Sequence, residues 1–130
     1  MKIMACFDGS NVAEEVVRLA GVHAAAFGGE VWIVTSMAGG PEVARREFDA
    51  RERELDYAKS LVEGKSPAVA AHLSIRGLSP GEDLVQLARE QGVGEIIIGV
   101  RRRSRVGKLV FGSTAQYVIL NAPCPVVTVR

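Results

Sequence analysis

Aromatic residues are scarce in this chain, with four Phe, two Tyr and one Trp among 130 residues. That leaves too few ring faces for a stacking platform that grips single-stranded nucleic acid, so nucleic acid is not an expected partner. Cysteine is nearly absent. Cys6 and Cys124 cannot build a disulfide framework, which points to a reducing compartment and a cytoplasmic address. No run of about 18 apolar residues occurs, so no membrane span is expected. Asp8 interrupts the N-terminal apolar stretch before a signal-peptide core could form. Metal-ligand patterns are missing too. His23 and His72 fall in different predicted elements, with no HExxH and no CxxC, and each is expected in a core or surface role. No pair of carboxylates stands out as an acid–base couple.

A single domain over residues 1–130 is the expected organisation. A domain of this length buries about two thirds of its unfolded surface, enough for a core without staples. The composition, 48% hydrophobic and 24% charged, is that of a globular chain and not a disordered one. The net charge of +1 hides an uneven spread. No acidic residue follows Glu95, whereas Arg101, Arg102, Arg103, Arg105, Lys108 and Arg130 do. Five of the sixteen basic residues crowd into positions 101–108, which makes either a solvated loop or an anion site. The flanks must decide.

Five short apolar runs predict strands at Ile3–Phe7, Val31–Ser36, Ala68–Ile75, Ile96–Gly99 and Val126–Val129. Most are continuous rather than alternating, as expected of strands covered on both faces. Helical patterns fill the intervals. Val12, Val16, Leu19, Ala20 and Phe27 mark the first helix, and Gly28-Gly29 stops it. The second, from about Pro41 to Glu63, has a thin apolar stripe of Phe48, Leu55, Ala58 and Val62. Its pairs Glu42–Arg46, Glu47–Arg51 and Asp49–Arg53 have i,i+4 spacing, and the charge run reads as a solvated face. Ser79, Pro80 and Glu82 predict a capping box opening the third helix, which Gly92 ends. The fourth starts near Gly112-Ser113, puts Phe111, Ala115, Val118 and Ile119 on one side, and closes at Asn121 and Pro123. Strand–helix alternation of this kind predicts right-handed βαβ units and a parallel sheet. Cys6 and Cys124 are expected at opposite sheet edges as small buried hydrophobes.

Several motifs match by letter and fail by chemistry. Gly77-Leu78-Ser79-Pro80-Gly81 has the G-x-S-x-G form of a nucleophile elbow. The residue after that serine must donate a backbone N–H to the oxyanion, and Pro80 has none. Gly107-Lys108 leads into Leu109, and Arg102 stands where a P-loop needs its first glycine. Gly92-Val93-Gly94 lacks the third glycine of a dinucleotide fingerprint and precedes a strand.

Two loops survive, both at carboxyl ends of predicted strands, where open parallel sheets hold ligands. One is Asp8-Gly9-Ser10. The other runs from Gly99 to Gly112-Ser113-Thr114, where a helix start with free amides and two hydroxyls suits a phosphate. Asp8 is a poor phosphate neighbour, but its carboxylate accepts from ribose hydroxyls or an adenine amine, or caps the first helix.

These segments carry a resemblance. The opening KIMACFDGS, the strand VWIVTS, the turn-helix GLSPGEDLVQLA, the stretch IIIGVRRRSRVGKLVFGST and the ending NAPCPVVTVR resemble the universal stress protein family over essentially the whole chain. The family's nucleotide-binding branch has the pattern G-x2-G-x9-G-[ST]. This chain has Gly99, then Arg102 in place of the second glycine, then nine residues, then Gly112-Ser113. The resemblance implies a three-layer α/β/α sandwich around a five-stranded parallel sheet of order 3-2-1-4-5. It implies a homodimer paired through the last strand. It also implies binding of ATP, ADP or AMP, with Mg accompanying the nucleotide, in a signalling or stress-response role without fast turnover. The family's contacts fall on Asp8 for adenine or ribose, Ser36 at the second strand's end, and Ile98 with Gly99 beside the ribose. Gly112, Ser113 and Thr114 would take the phosphates, with Arg101, Arg102 and Arg103 beside them.

Arg102 pulls in two directions. In a left-handed glycine position it costs roughly 1–2 kcal/mol. Paired with a phosphate it gains about 1.5–3 kcal/mol. Two further functions therefore stand beside nucleotide-dependent regulation. One is a slow ATPase or phosphotransferase using Ser10, Ser113 and Arg103 around a triphosphate. The other is a nucleotide-free interaction module whose Arg-rich loop docks an acidic protein, RNA or membrane surface.

Overall fold

β-branched residues dominate three of the five apolar runs, Val31–Ser36, Ile96–Gly99 and Val126–Val129, and fit a pleated surface. All five are strands in the computed structural model, which describes residues 1–100, 102–103 and 109–130, and the backbone alone at 102, 103, 109 and 110. Strands β1 (Lys2–Cys6), β2 (Glu30–Ser36), β3 (Val69–Ser74), β4 (Glu95–Gly99) and β7 (Val126–Val129) form one parallel sheet. Its order is β3–β2–β1–β4–β7, which is 3-2-1-4-5 when only the sheet's own strands are counted. Two short strands that the sequence pattern did not announce, β5 (Arg102–Arg103) and β6 (Leu109–Val110), pair antiparallel as a separate ribbon. The helices are α1 (Ala13–Phe27), α2 (Arg45–Ser60), α3 (Pro80–Glu90) and α4 (Ser113–Asn121).

Period-two alternation sorts the strand residues between two apolar layers. Ile3, Ala5 and Phe7 pack with Val31, Ile33 and Ile97 against α1 and α2. Met4 and Cys6 pack with Val34, Ile96 and Ile98 against α3 and α4. The result is a sheet covered on both faces. Ile3, Met4, Ile33, Ile96 and Ile97 are fully buried, each contributing about 1.5–3 kcal/mol. Helix α1 ends where expected, with Gly28 left-handed at φ 70°, a conformation that glycine adopts without penalty.

Several local expectations are corrected. Helix α2 begins at Arg45, with Ala44 extended as its N-cap, so Glu42 stands outside it and cannot pair with Arg46 across a helical turn. The ion pairs that form on α2 are Arg45–Asp49 at 3.5 Å and Arg51–Glu54 at 2.6 Å, while Lys59–Glu63 at 3.9 Å spans its end. Asp49 and Arg51 are thereby engaged by partners other than the expected ones. Ser79 does not cap the backbone of α3. Its hydroxyl donates instead to Glu82 Oε1 at 3.0 Å. On α4 the buried residues are Ala115 and Val118, with the C-cap Ala122 partly buried beside them, and not Phe111 and Ile119, which are 41% and 39% exposed. Cys6 and Cys124 share the α3/α4 apolar layer instead of lying at opposite edges, because β1, which carries Cys6, is the central strand, and of the two strands concerned β7 alone is at an edge.

Candidate functional site

The chain leaves β1 toward β2 on one side and returns through β4 on the other, so the strand order reverses between β1 and β4. At such a point the loops leaving the carboxyl ends diverge and open a crevice. A cleft of about 240 Å³ lies there. Strand ends supply its floor, with Cys6, Phe7 and Asp8 from β1 and the loop after it, Val34 to Met37 from β2, and Ile98 with Gly99 from β4. Pro80 and Leu84 of α3 close one side, and Gly112 to Ala115 at the start of α4 close another.

The first turn of α4 carries the polarity of the site. Its leading N–H groups have no partner within the helix. Gly112, the N-cap, is extended at φ −65° and ψ 160° with no side-chain cap, and no acidic residue occupies the first turn. These amides and the positive end of the helix dipole lie at a cleft whose floor mixes apolar side chains, Cys6, Phe7, Val34 and Ile98, with Asp8, Thr35 and Ser36. Gly99 fits this arrangement for a packing reason. A Cβ there would come within 2.5 Å of Val12 Cγ2 at the start of α1.

The expected site residues Asp8, Ser36, Ile98, Gly99, Gly112, Ser113 and Thr114 all line this one cleft. Asp8 does not cap α1, whose N-cap is Val12 without a side-chain bond. Its Oδ1 accepts the Ser10 N–H at 2.9 Å, which folds the loop back on itself. Ser10 is not among the lining residues. Arg102 and Arg103 lie on β5 between Gly99 and Gly112. Arg102 is extended and paired with Val110, so the left-handed penalty that an arginine for glycine exchange could bring does not arise. Arg101 lies outside the described residues.

Hydrogen bonds fix the β2 side of the cleft. Thr35 Oγ1 donates to the Phe7 carbonyl at 2.7 Å and staples the ends of β1 and β2 together. Ser36 Oγ donates to Asp83 Oδ2 at 2.6 Å. Asp83 is buried in the first turn of α3, and its Oδ1 accepts from Arg76 Nε at 2.7 Å. Burial by itself would raise this carboxyl. The Ser36 hydroxyl and the Arg76 guanidinium outweigh it and hold the group below its ordinary range. Cys6 in the floor goes the other way. Burial, then the charge of Asp8, then Cys124, push its thiol far up, so it is a neutral apolar group and not a nucleophile.

Arg51 also lines the cleft and was missed as part of the α2 charge run. The signal was present in the spacing. Positions 48, 51, 55, 58 and 62 advance by three and four, so Arg51 interrupts the apolar stripe of Phe48, Leu55, Ala58 and Val62. A cation on the inward face of a helix has something polar to meet. Glu54 holds it at 2.6 Å.

A profile described as the Universal stress protein family matches residues 1–130. The chain belongs to the universal stress protein family. Solved members agree with that membership. A universal stress protein from Archaeoglobus fulgidus is 35% identical, with a TM-score of 0.90 over 100% of this chain and 98% of its own. An A. fulgidus universal stress protein in complex with dAMP is 31% identical, with a TM-score of 0.86 over 100% and 98% of the two chains. A universal stress protein in complex with cAMP shares the fold at 20% identity and a TM-score of 0.82, over 100% and 97%. Comparison with curated proteins gives no match. Among the described residues no helix is long and apolar enough to cross a membrane, and no group of three His, Cys, Asp or Glu could hold a metal ion.

Proposed function

We propose that this universal stress protein binds an adenine nucleotide in the cleft between β1 and β4 and uses the bound state as a signal. ATP is the expected ligand, with ADP and AMP as shorter occupants of the same site. The observation that carries the proposal is the first turn of α4, without a side-chain cap or an acidic residue, at the wall of a cleft that is otherwise lined largely by apolar side chains. One end of the cleft suits an anion and the other a flat heteroaromatic ring. The dAMP complex of the 31% identical relative supports the same ligand class.

In this assignment Gly112, Ser113 and Thr114 receive the phosphates, Ile98 and Gly99 flank the ribose, and Asp8 accepts from ribose or base. Ser36 lies at the base end. Arg101, Arg102 and Arg103, which fall in sequence between Gly99 and Gly112, are assigned to the phosphates by charge. Mg²⁺ would arrive with a triphosphate and draw most of its ligands from phosphate oxygens and water. Turnover needs a base beside the phosphates. The carboxylate among the described lining residues is that of Asp8, which already accepts from Ser10, and the Cys6 thiol is neutral. These features favour a signalling role over an ATPase or phosphotransferase.

A second copy is proposed to pair along β7. That strand is a sheet edge, and its Val126, Val127 and Val129 are half-buried within one chain. Calorimetric titration with ATP tests the nucleotide assignment. Wild-type chain is expected to bind one ATP per protomer. Gly112→Val adds bulk to a lining position whose backbone admits any residue, and it should weaken binding about tenfold or more. Equal binding by the two, or none by wild type, would sink the assignment.

A further inference from the structure

We propose that Asp83, braced by Arg76, fixes the Ser36 hydroxyl as a hydrogen-bond acceptor toward the cleft, so that the pocket selects a base carrying an exocyclic amine over one carrying a carbonyl. The inference rests on the nucleotide reading above and adds to it a positioning residue that does not line the cleft. A serine hydroxyl has one proton and two lone pairs. Ser36 sends its proton to Asp83 Oδ2 at 2.6 Å, and an ionised carboxylate has none to return. What Ser36 still offers a ligand is a lone pair.

The second oxygen of Asp83 is equally committed. Oδ1 accepts from Arg76 Nε at 2.7 Å, and Arg76 Nη1 reaches on to Glu90 Oε2 at 3.1 Å. Asp83 is 1% exposed, so water does not compete for it. The carboxylate cannot turn away without breaking its part-buried ion pair with Arg76, and the polarity of Ser36 is therefore set from outside the pocket.

Position makes this polarity matter. Ser36 ends β2, two strands from β4 and therefore about 10 Å across the sheet from Gly99. The α4 amides that suit phosphate adjoin the β4 side. A nucleotide with its phosphates there extends its base toward β2, where Val34 and Met37 of the same chain segment and Pro80 and Leu84 of α3 line the cleft. Adenine carries an N–H donor at its 6-position, whereas hypoxanthine carries a carbonyl oxygen. The amine finds the Ser36 lone pair. The carbonyl meets lone pair against lone pair, and both groups lose water without gaining a partner.

Calorimetric titration of the full chain with ATP and with inosine triphosphate reads this out. Wild type should prefer ATP by about tenfold or more. Ser36→Ala should bring the two ligands within about threefold. Asp83→Asn is the sharper variant. Its amide oxygen keeps Arg76, its NH₂ then donates to Ser36 Oγ, and the serine proton is freed to face the cleft. The preference should fall to parity or turn toward the inosine nucleotide. A merely structural role for Asp83 would weaken both ligands together and leave their ratio intact, which would overturn the proposal. If Asp83→Asn does not fold, the ratio in Ser36→Ala decides. Equal wild-type affinities overturn this inference and leave nucleotide binding standing, whereas failure of wild type to bind either nucleotide overturns both.

Discussion

Ser113→Asp should move stability and affinity in opposite directions. Ser113 is the first residue of α4, is exposed, and begins a turn with no acidic residue. A carboxylate at that position complements the helix dipole by about 0.3–1 kcal/mol, which for a domain of this size raises Tm by about 1–4 °C. The same carboxylate occupies the amides assigned to phosphate and repels it. Two unit charges about 5 Å apart at an effective dielectric near 20 interact by about 3 kcal/mol. Allowing for screening at the cleft mouth, the net loss for ATP is about 2–4 kcal/mol, or roughly 30- to 1,000-fold in Kd. Calorimetry with ATP and with adenosine, beside thermal unfolding, separates the terms. ATP affinity should collapse, adenosine affinity should change by less than about threefold, and Tm should rise. Unchanged ATP affinity would refute the assignment of phosphate to α4. A joint fall of ATP, adenosine and Tm would show damage to the fold instead.

Three further outcomes follow from the packing and the ionisation. Gly99→Ala should cost about 1–3 kcal/mol in urea unfolding, because its Cβ would stand 2.5 Å from Val12 Cγ2 and the start of α1 must shift; an unchanged midpoint would show that Val12 turns aside freely. Ile97→Ala, in the fully buried heart of β4, should cost about 2–5 kcal/mol by the same measurement. Asp83 is held below its ordinary carboxyl range when folded. It therefore contributes stability above the unfolded-chain pKa near 3.9, and that stability is lost as pH falls through the depressed folded value. The gap in unfolding free energy between wild type and Asp83→Asn should accordingly narrow as urea titrations descend from about pH 5 toward pH 2, and a constant gap would contradict the burial and bonding assigned to Asp83.

Strand placement was legible because it depends on short-range apolar content. Ile3, Met4 and Ile96 to Ile98 must be covered on both sides, and only a sheet between helices does that. The strand order came instead from the family resemblance. The cleft's outline was legible for a related reason, since Asp8, Gly99 and Gly112 each follow or precede an element boundary at the carboxyl edge. The parts that escaped depend on contacts distant in sequence. Ser36 gave no sign of its partner Asp83, because that bond joins β2 to α3 across 47 positions. Arg51 was hidden by its neighbours, where a run of charge masked its place on the apolar stripe. Phe111 and Ile119 misled in the other direction, because α4 packs chiefly along α3 and buries only Ala115 and Val118. The β5–β6 ribbon rests on two residues per strand, too short a segment for any periodicity to show.

Amide chemical-shift mapping by ¹H–¹⁵N NMR during an ATP titration puts the cleft itself to the test. Binding at the β1–β4 crevice predicts saturable shifts at Ser113, Thr114, Ala115, Gly99 and Ser36, with little change along β3 or the outer face of α1. Shifts confined to another surface, such as the shallow groove beside Pro41, Phe48 and Ile75, or no shifts at millimolar ATP, would contradict the account.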